Sequence, residues 1–191
     1  MYIVAVNGSP NENGNTAFLL NKIFEHCKGA ECEIINASKA VSEAKTPFCV
    51  SCANPCDRRC YKGTLLEEAY EKINKADFVF FASPVYFGSM SAQLKAFFDK
   101  TRAVRGEKAW LGKPMAAVSV GASKFGGQER TIDHIQSCAL VLGMQIVGNG
   151  SMLNMGHFGV SAQKPAENDD NALKQCESLA NAIMSIKNAG F

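Results

Sequence analysis

The sequence predicts a doubly wound α/β fold built on one parallel sheet, and three observations predict it. Short β-rich apolar runs alternate five times with longer segments whose apolar residues recur at helical spacing. One run, "DFVFFAS" (77–83), is apolar without alternation, as a strand covered on both faces of a parallel sheet must be. The chain has 191 residues and no internal repeat, low-complexity tract or linker, so a single domain spanning 1–191 is expected.

Taken in order, "YIVAV" (2–6) is the first strand, and "TAFLLNKIFEHC" (16–27) follows as a helix through Phe18, Leu19, Ile23 and Phe24. "CEIINA" (32–37) is the second strand. "TLLEEAYEKINKA" (64–76) opens with a Thr64 to Glu67 capping box and gathers Leu65, Leu66, Ala69, Tyr70 and Ile73 on one side. After the strand at 77–83 comes a helix over "SAQLKAFFDKTRAV" (91–104), then a fourth strand, "KPMAAVSVG" (113–121). "QERTIDHIQSCALVLG" (128–143) is a helix stopped by Gly143, "MQIVGN" (144–149) the fifth strand, and 167–189 the closing helix. Parallel strands in this order need right-handed helical crossovers. Residues 38–62 interrupt the rhythm, since connections of this kind are usually ~2–6 residues long. That insertion carries four of the eight cysteines.

Composition narrows the function. Hydrophobic residues make up 47% of the chain and charged residues 20%, with a net charge of +2, which leaves no basic excess for nucleic acid or an acidic membrane surface. The N-terminus has neither the charged start nor the apolar length of a signal peptide, and no apolar run reaches a membrane span of ~20 residues. A cytoplasmic protein is expected, in which clustered thiols bind metal or do redox chemistry rather than form structural disulfides.

Five parallel strands in the order 2-1-3-4-5 would set the loops leaving strands 1, 3 and 4 side by side. Those three have unusual composition: "NGSPNENGNT" (7–16), "SPVYFGSMS" (83–91) and "GASKFGGQE" (121–129). The first runs into a helix N-terminus, where free N–H groups and the helix dipole favour an anion. It has neither the Walker A lysine nor G-x-G-x-x-G, so a single terminal phosphate fits better than a triphosphate or a dinucleotide. A polar, capped turn is the plainer reading of that loop taken alone. The second places Tyr86 and Phe87 among glycine and serine at a strand end, which suits a flat heteroaromatic ring.

With these residues in view, the chain resembles the flavodoxin-like NAD(P)H-dependent FMN reductases over nearly its whole length, through "GSPNENGNT", "SPVYFGSMSAQLKAFFDK" and "GGQE". Its cysteine-rich insertion is similar to that of the iron–sulfur flavoprotein branch. The resemblance implies a flavodoxin-like sheet and an FMN phosphate held by Ser9, Asn11, Asn15 and Thr16, with Asn13 and Gly14 shaping the loop. It implies an isoalloxazine ring bordered by Pro84, Val85, Tyr86, Phe87, Gly88 and Ser89, with Gly121, Ala122, Gly126, Gly127 and Gln128 on the other side. One position departs: Glu12 stands where related loops often carry a basic residue.

The cysteines Cys49, Cys52, Cys56 and Cys60 form a C-x2-C-x3-C-x3-C run. Their spacing is also that of a helical stripe, but Pro55 inside such a helix would cost ~3 kcal/mol. The compact gaps suit a cluster-binding thiolate loop better than structural zinc, whose Cys pairs are usually farther apart. A four-iron four-sulfur cluster is the expectation; zinc, or a loop without metal, is the alternative. Arg58, Arg59 and Lys62 read as a solvated basic face. Cys27, Cys32, Cys138 and Cys176 read as small hydrophobes, and His157 as a loop residue without a partner. Trp110 marks either a dimer contact or a loop anchor, while Phe125 and Phe158 are candidates to close over the ring.

The function expected is an FMN-dependent oxidoreductase, passing electrons from NAD(P)H or a reduced carrier to a small acceptor such as a quinone or free flavin. No catalytic acid or base is required, because the flavin carries the chemistry. The alternatives are a non-enzymatic flavodoxin-like electron carrier, against which the +2 charge argues, and an FMN reductase with a structural zinc site. A ferredoxin-like redox partner and a homodimer or homotetramer are implied by the resemblance.

Overall fold

The computed structural model describes residues 1–150, 152 and 157–188, with side chains described as far as 185. Its sheet holds β1 (Tyr2–Asn7), β2 (Glu31–Asn36), β3 (Phe78–Pro84), β4 (Pro114–Gly121), β5 (Gln145–Ile146) and β6 (Gly159–Gln163). All pairings are parallel, in the order β2-β1-β3-β4-β5, with β6 also on β4. The expected order 2-1-3-4-5 is therefore the observed one.

Successive strand residues point to opposite faces, and both faces are covered. On one, Ile3, Ala5, Phe78 and Phe80 pack with α1 (Asn15–His26) and α7 (Asp170–Asn188). On the other, Val4, Val6, Val79 and Phe81 pack with α2 (Ala37–Ser42), α3 (Leu65–Lys75), α4 (Ala92–Asp99) and α6 (Gln128–Val141). This is why β3 is buried along its length and reads as an unbroken apolar run. Trp110 is fully buried in the second layer, where its indole N–H donates to Asn74 Oδ1 at 2.8 Å, so it anchors the core.

Three expectations need correction. The helix expected over 91–104 breaks into α4 and a short α5 (Arg102–Gly106), with the buried Lys100 at the C-cap of α4. The strand expected over 144–149 is only Gln145–Ile146; the same edge of β4 is completed by β6, after the chain leaves the sheet. Gly159 makes that return possible, since a Cβ there would collide with the Ala117 carbonyl. The insertion is also shorter than 38–62, because Asn36 caps α2 through Lys39 N. Residues 43–64 then carry neither helix nor strand, which excludes the helical stripe of cysteines. The end of the closing helix expected over 167–189 lies outside the described residues.

Candidate functional site

The three loops meet above the carboxyl ends of β1, β3 and β4. Loop one (8–14) is tied to loop two (85–91) by Ser91, whose Oγ donates to Gly8 O at 2.5 Å and accepts from Leu94 N as the cap of α4. Gly8 N in turn donates to Ala82 O at 2.7 Å. Loop two is tied to the end of β4, just before loop three (122–127), by Val85 N on Val120 O at 2.8 Å. Gly127 has φ +95°, and a Cβ there would lie 3.3 Å from Gly88 Cα and 3.4 Å from a Val85 methyl, so the loops touch backbone to backbone. Glycine is required there on both counts.

Loop one is a ladder of side-chain-to-backbone turns: Ser9 N on Asn7 Oδ1, Asn11 N on Ser9 Oγ and Asn13 N on Asn11 Oδ1. Ser9 and Thr16 are buried at its base, Gly14 and Asn15 half-buried, Asn11 and Asn13 exposed. Asn15 Oδ1 is occupied by Ala166 N at 2.7 Å. Two features fit an anion. α1 has Gly14 at its N-cap, with no side-chain cap and no acidic residue in its first turn; α5 and α6 also lack a side-chain cap, but α6 carries Glu129 in its first turn. At the end of β1, the buried Asn7 Nδ2 has no hydrogen-bond partner among the described residues. Glu12, the departure in the sequence, is ion-paired with Lys39 at 2.7 Å, which offsets its charge near the loop.

In loop two, Pro84, Val85, Gly88 and Ser89 are half-buried while Tyr86 and Phe87 are exposed. Tyr86 N bonds Ser89 O and Ser89 N bonds Tyr86 O, with Phe87 and Gly88 at φ +51° and +72°. Positive φ at both central residues is the two-residue turn of a tight hairpin. It throws Phe87 fully into solvent. The Ser89 hydroxyl lies 2.9 Å from His134 Nδ1 on α6, a contact no sequence signal marks because the two residues stand 45 apart.

Loop three holds Gly121 buried, Ala122 exposed, Gly126 and Gly127 half-buried and Phe125 exposed at φ +56°. Gln128 is buried; its amide donates to Ser123 O at 2.8 Å and Ala162 O at 3.2 Å, so it clamps the loop onto β6. Beyond it a cleft of ≈ 740 Å³ opens between loop three and the start of α7, bordered by Lys124, Phe125, Arg130, Lys164 and Asp170. Phe158 is exposed, as is His157.

The cysteine segment lies at the other end of α4. Its eight residues put about 12 Å between loop two and Lys100. Cys49, Cys56 and Cys60 are half-buried and Cys52 exposed, all as free thiols. Among the described residues no three metal-ligating side chains converge on one point. The expected set of Cys49, Cys52, Cys56 and Cys60 lies on one irregular loop and is not brought to a single point among the described residues. In number and kind the donors fit an iron–sulfur cluster. Ser51 and Arg58 in this loop sit at φ +52° and +62°. Arg58 pairs with Glu107, and Arg59 with Asp57 at 2.5 Å, so these two arginines are paired rather than free. Away from the segment, burial pushes the Cys27 thiol up to about 11 and that of Cys176 to about 12, as suits packing residues. Cys32 and Cys138 are half-buried, and burial raises their thiols too.

Parallel sheet, strand order and loop cluster define a flavodoxin-like fold. The chain matches the family model for NADPH-dependent FMN reductases over residues 1–158. It is 34% identical to an iron–sulfur flavoprotein of Methanocaldococcus jannaschii over 97% of both chains. It is 33% identical to an iron–sulfur flavoprotein of Methanosarcina thermophila, over 97% of this chain and 95% of that one. Among solved structures, an NADH:FMN oxidoreductase in its apo form superposes with a TM-score of 0.66 at 22% identity, covering 98% of this chain and 89% of that one. A flavodoxin from the domain Archaea superposes at 0.61 and 17% identity, covering 98% and 99%. The chain belongs to the NADPH-dependent FMN reductase family, an FMN-binding family of oxidoreductases.

Proposed function

We propose that this protein is an FMN-dependent oxidoreductase. It takes electrons from NAD(P)H or a reduced carrier and passes them to a small acceptor such as a quinone or free flavin, with an iron–sulfur cluster on Cys49, Cys52, Cys56 and Cys60 as one-electron partner. The observation that carries the reading is the junction of the three loops at an α1 N-terminus without a side-chain cap, together with a buried Asn7 Nδ2 that finds no partner among the described residues. The names of the relatives support the cluster.

Bound FMN supplies hydride acceptance at N5 and release of electrons one or two at a time. The chain supplies binding and orientation. Ser9, Thr16 and the first N–H groups of α1 would hold the phosphate, with Asn11, Asn13, Gly14 and Asn15 shaping its loop. Pro84, Val85, Tyr86, Phe87, Gly88 and Ser89 would border one side of the ring, and Gly121, Ala122, Gly126 and Gly127 the other. Gln128, spent on the clamp to β6, would act through the loop rather than on the ring. His134 holds the Ser89 hydroxyl and so fixes the turn below Phe87.

The test is turnover of protein purified without oxygen and loaded with FMN, supplied with NADH or NADPH and a quinone or flavin acceptor. Oxidation of nucleotide coupled to acceptor reduction is expected. Flavin that accepts electrons only from reduced ferredoxin and reduces no small acceptor would make the protein a carrier, and zinc in place of iron would make the cysteine loop structural. The same preparation, sized in solution, tests the proposed homo-oligomer.

A further inference from the structure

Lys100, at the C-cap of α4, is 1% exposed, which places an ammonium group inside the protein. A buried ammonium is tolerated only where negative charge compensates it. Among the described residues no carboxylate comes within ion-pair distance of Lys100. Its Nζ donates instead to the Cys60 sulfur at 3.5 Å. The break between α4 and α5 falls at this residue.

The wall around that contact is polar in a way packing alone does not require. Tyr61 is 1% exposed and its hydroxyl has no partner among the described residues. Tyr70 stacks edge-on against Tyr61, with ring centroids 5.3 Å apart, and spends its own hydroxyl on Phe97 O at 2.7 Å. Burial pushes the Tyr70 phenol far up, and Tyr61, Cys60, Cys49 and Cys56 add to the shift in that order.

We propose that Lys100 is a fixed positive charge on the Cys60 ligand sulfur and that it raises the reduction potential of the cluster. The inference rests on the cluster reading above. Reduction adds one electron from a one-electron donor, reduced flavin or dithionite; no bond forms or breaks and no proton moves. The cluster and its thiolates become more negative by one charge. A cation held against a ligand sulfur in a poorly solvated wall stabilises that reduced state more than the oxidised one. Lys100 is a positioning and tuning residue, because it touches a ligand rather than a reacting substrate.

The experiment compares the full chain with Lys100→Met, which keeps the stem without the charge, and Lys100→Arg, which keeps the charge. Each is purified without oxygen, analysed for iron and sulfide, and titrated while the reduced cluster is followed by electron paramagnetic resonance. The expected result is unchanged iron in all three and, in Lys100→Met alone, a reduced-to-oxidised ratio at fixed potential at least about tenfold lower, a shift of ~59 mV for one electron. Retained iron with a smaller shift, or the same shift in Lys100→Arg, overturns the inference and leaves the cluster standing. Iron missing from the unsubstituted protein overturns the cluster reading and this inference together. Should Lys100→Met fail to fold or shed its iron, the unsubstituted protein decides. With isotopically labelled lysine, the reduced cluster shows hyperfine coupling to a lysine nitrogen if the contact exists, and its absence overturns the inference.

Discussion

Phe87 occupies a left-handed conformation that costs a non-glycine residue ~1–2 kcal/mol, and it does so to stand wholly in solvent beside the proposed ring site. Strain of this kind collects where function needs it. Phe87→Gly should therefore stabilise the protein by about 1 kcal/mol in urea unfolding while weakening FMN binding in fluorescence titration; a variant both less stable and equally tight would contradict the assignment. The converse holds at Gly127, where φ +95° strains any residue with a Cβ and a methyl would sit tightly, 3.3 Å from Gly88 Cα. Gly127→Ala should cost about 1–2 kcal/mol and loosen FMN, read by the same two measurements. Glu33 shows the acid limit. Burial alone would push its carboxyl up, but hydrogen bonds from Lys72 and Tyr2 outweigh it and hold the carboxyl below its ordinary value. The stability this gives is complete above the ordinary carboxylate range and is lost as pH falls through the lowered value. Because the side chain is a third exposed, the loss should stay under ~1 kcal/mol. Urea midpoints between pH 7 and pH 3 should show it in the natural protein and not in Glu33→Gln. His134 was invisible in the sequence, since nothing local distinguishes a histidine that meets a serine 45 residues away.

Elements differ in how plainly they are written. β1, β3, β4, α1, α3 and α6 follow from the apolar period, though of the stripe expected on α3 Leu66, Ala69, Tyr70 and Ile73 are buried while Leu65 is exposed. The break between α4 and α5 was not legible: "DKTR" continues the helical pattern, but Lys100 and Thr101 are both buried and the Thr101 hydroxyl donates back to Phe98 O at 2.6 Å. The division of the last strand into β5 and β6 was hidden for a similar reason, since Gln145 and Ile146 are exposed and the pairing that continues the edge comes from 159–163. The insertion showed its irregularity through Pro47 and Pro55, yet not the inward turn of Cys60. Residues 43–64 add no strand to the sheet, so exchanging all four cysteines at 49, 52, 56 and 60 for serine should abolish iron in metal analysis while FMN binding persists. Loss of flavin together with iron would show the two sites to be one structural unit.

Across the whole molecule, the sheet order puts loops from three strands at one edge and the cysteine segment one helix away, on the layer that holds α2 to α6. Strand order and loop composition carried most of this in advance: a 2-1-3-4-5 sheet leaves its switch point where the three odd loops are. Composition could not show that α4 links the two regions, because that depends on which side chains of α4 turn inward at each end. Ser91 does so at the loop end and Lys100 at the cysteine end. The most direct measurement is an ultraviolet–visible spectrum with iron and zinc analysis of protein purified without oxygen, before and after FMN is added. The expected result is flavin bands over broad iron–sulfur absorption, with about one FMN and about four irons per chain. Protein that binds no FMN under these conditions would contradict the central claim.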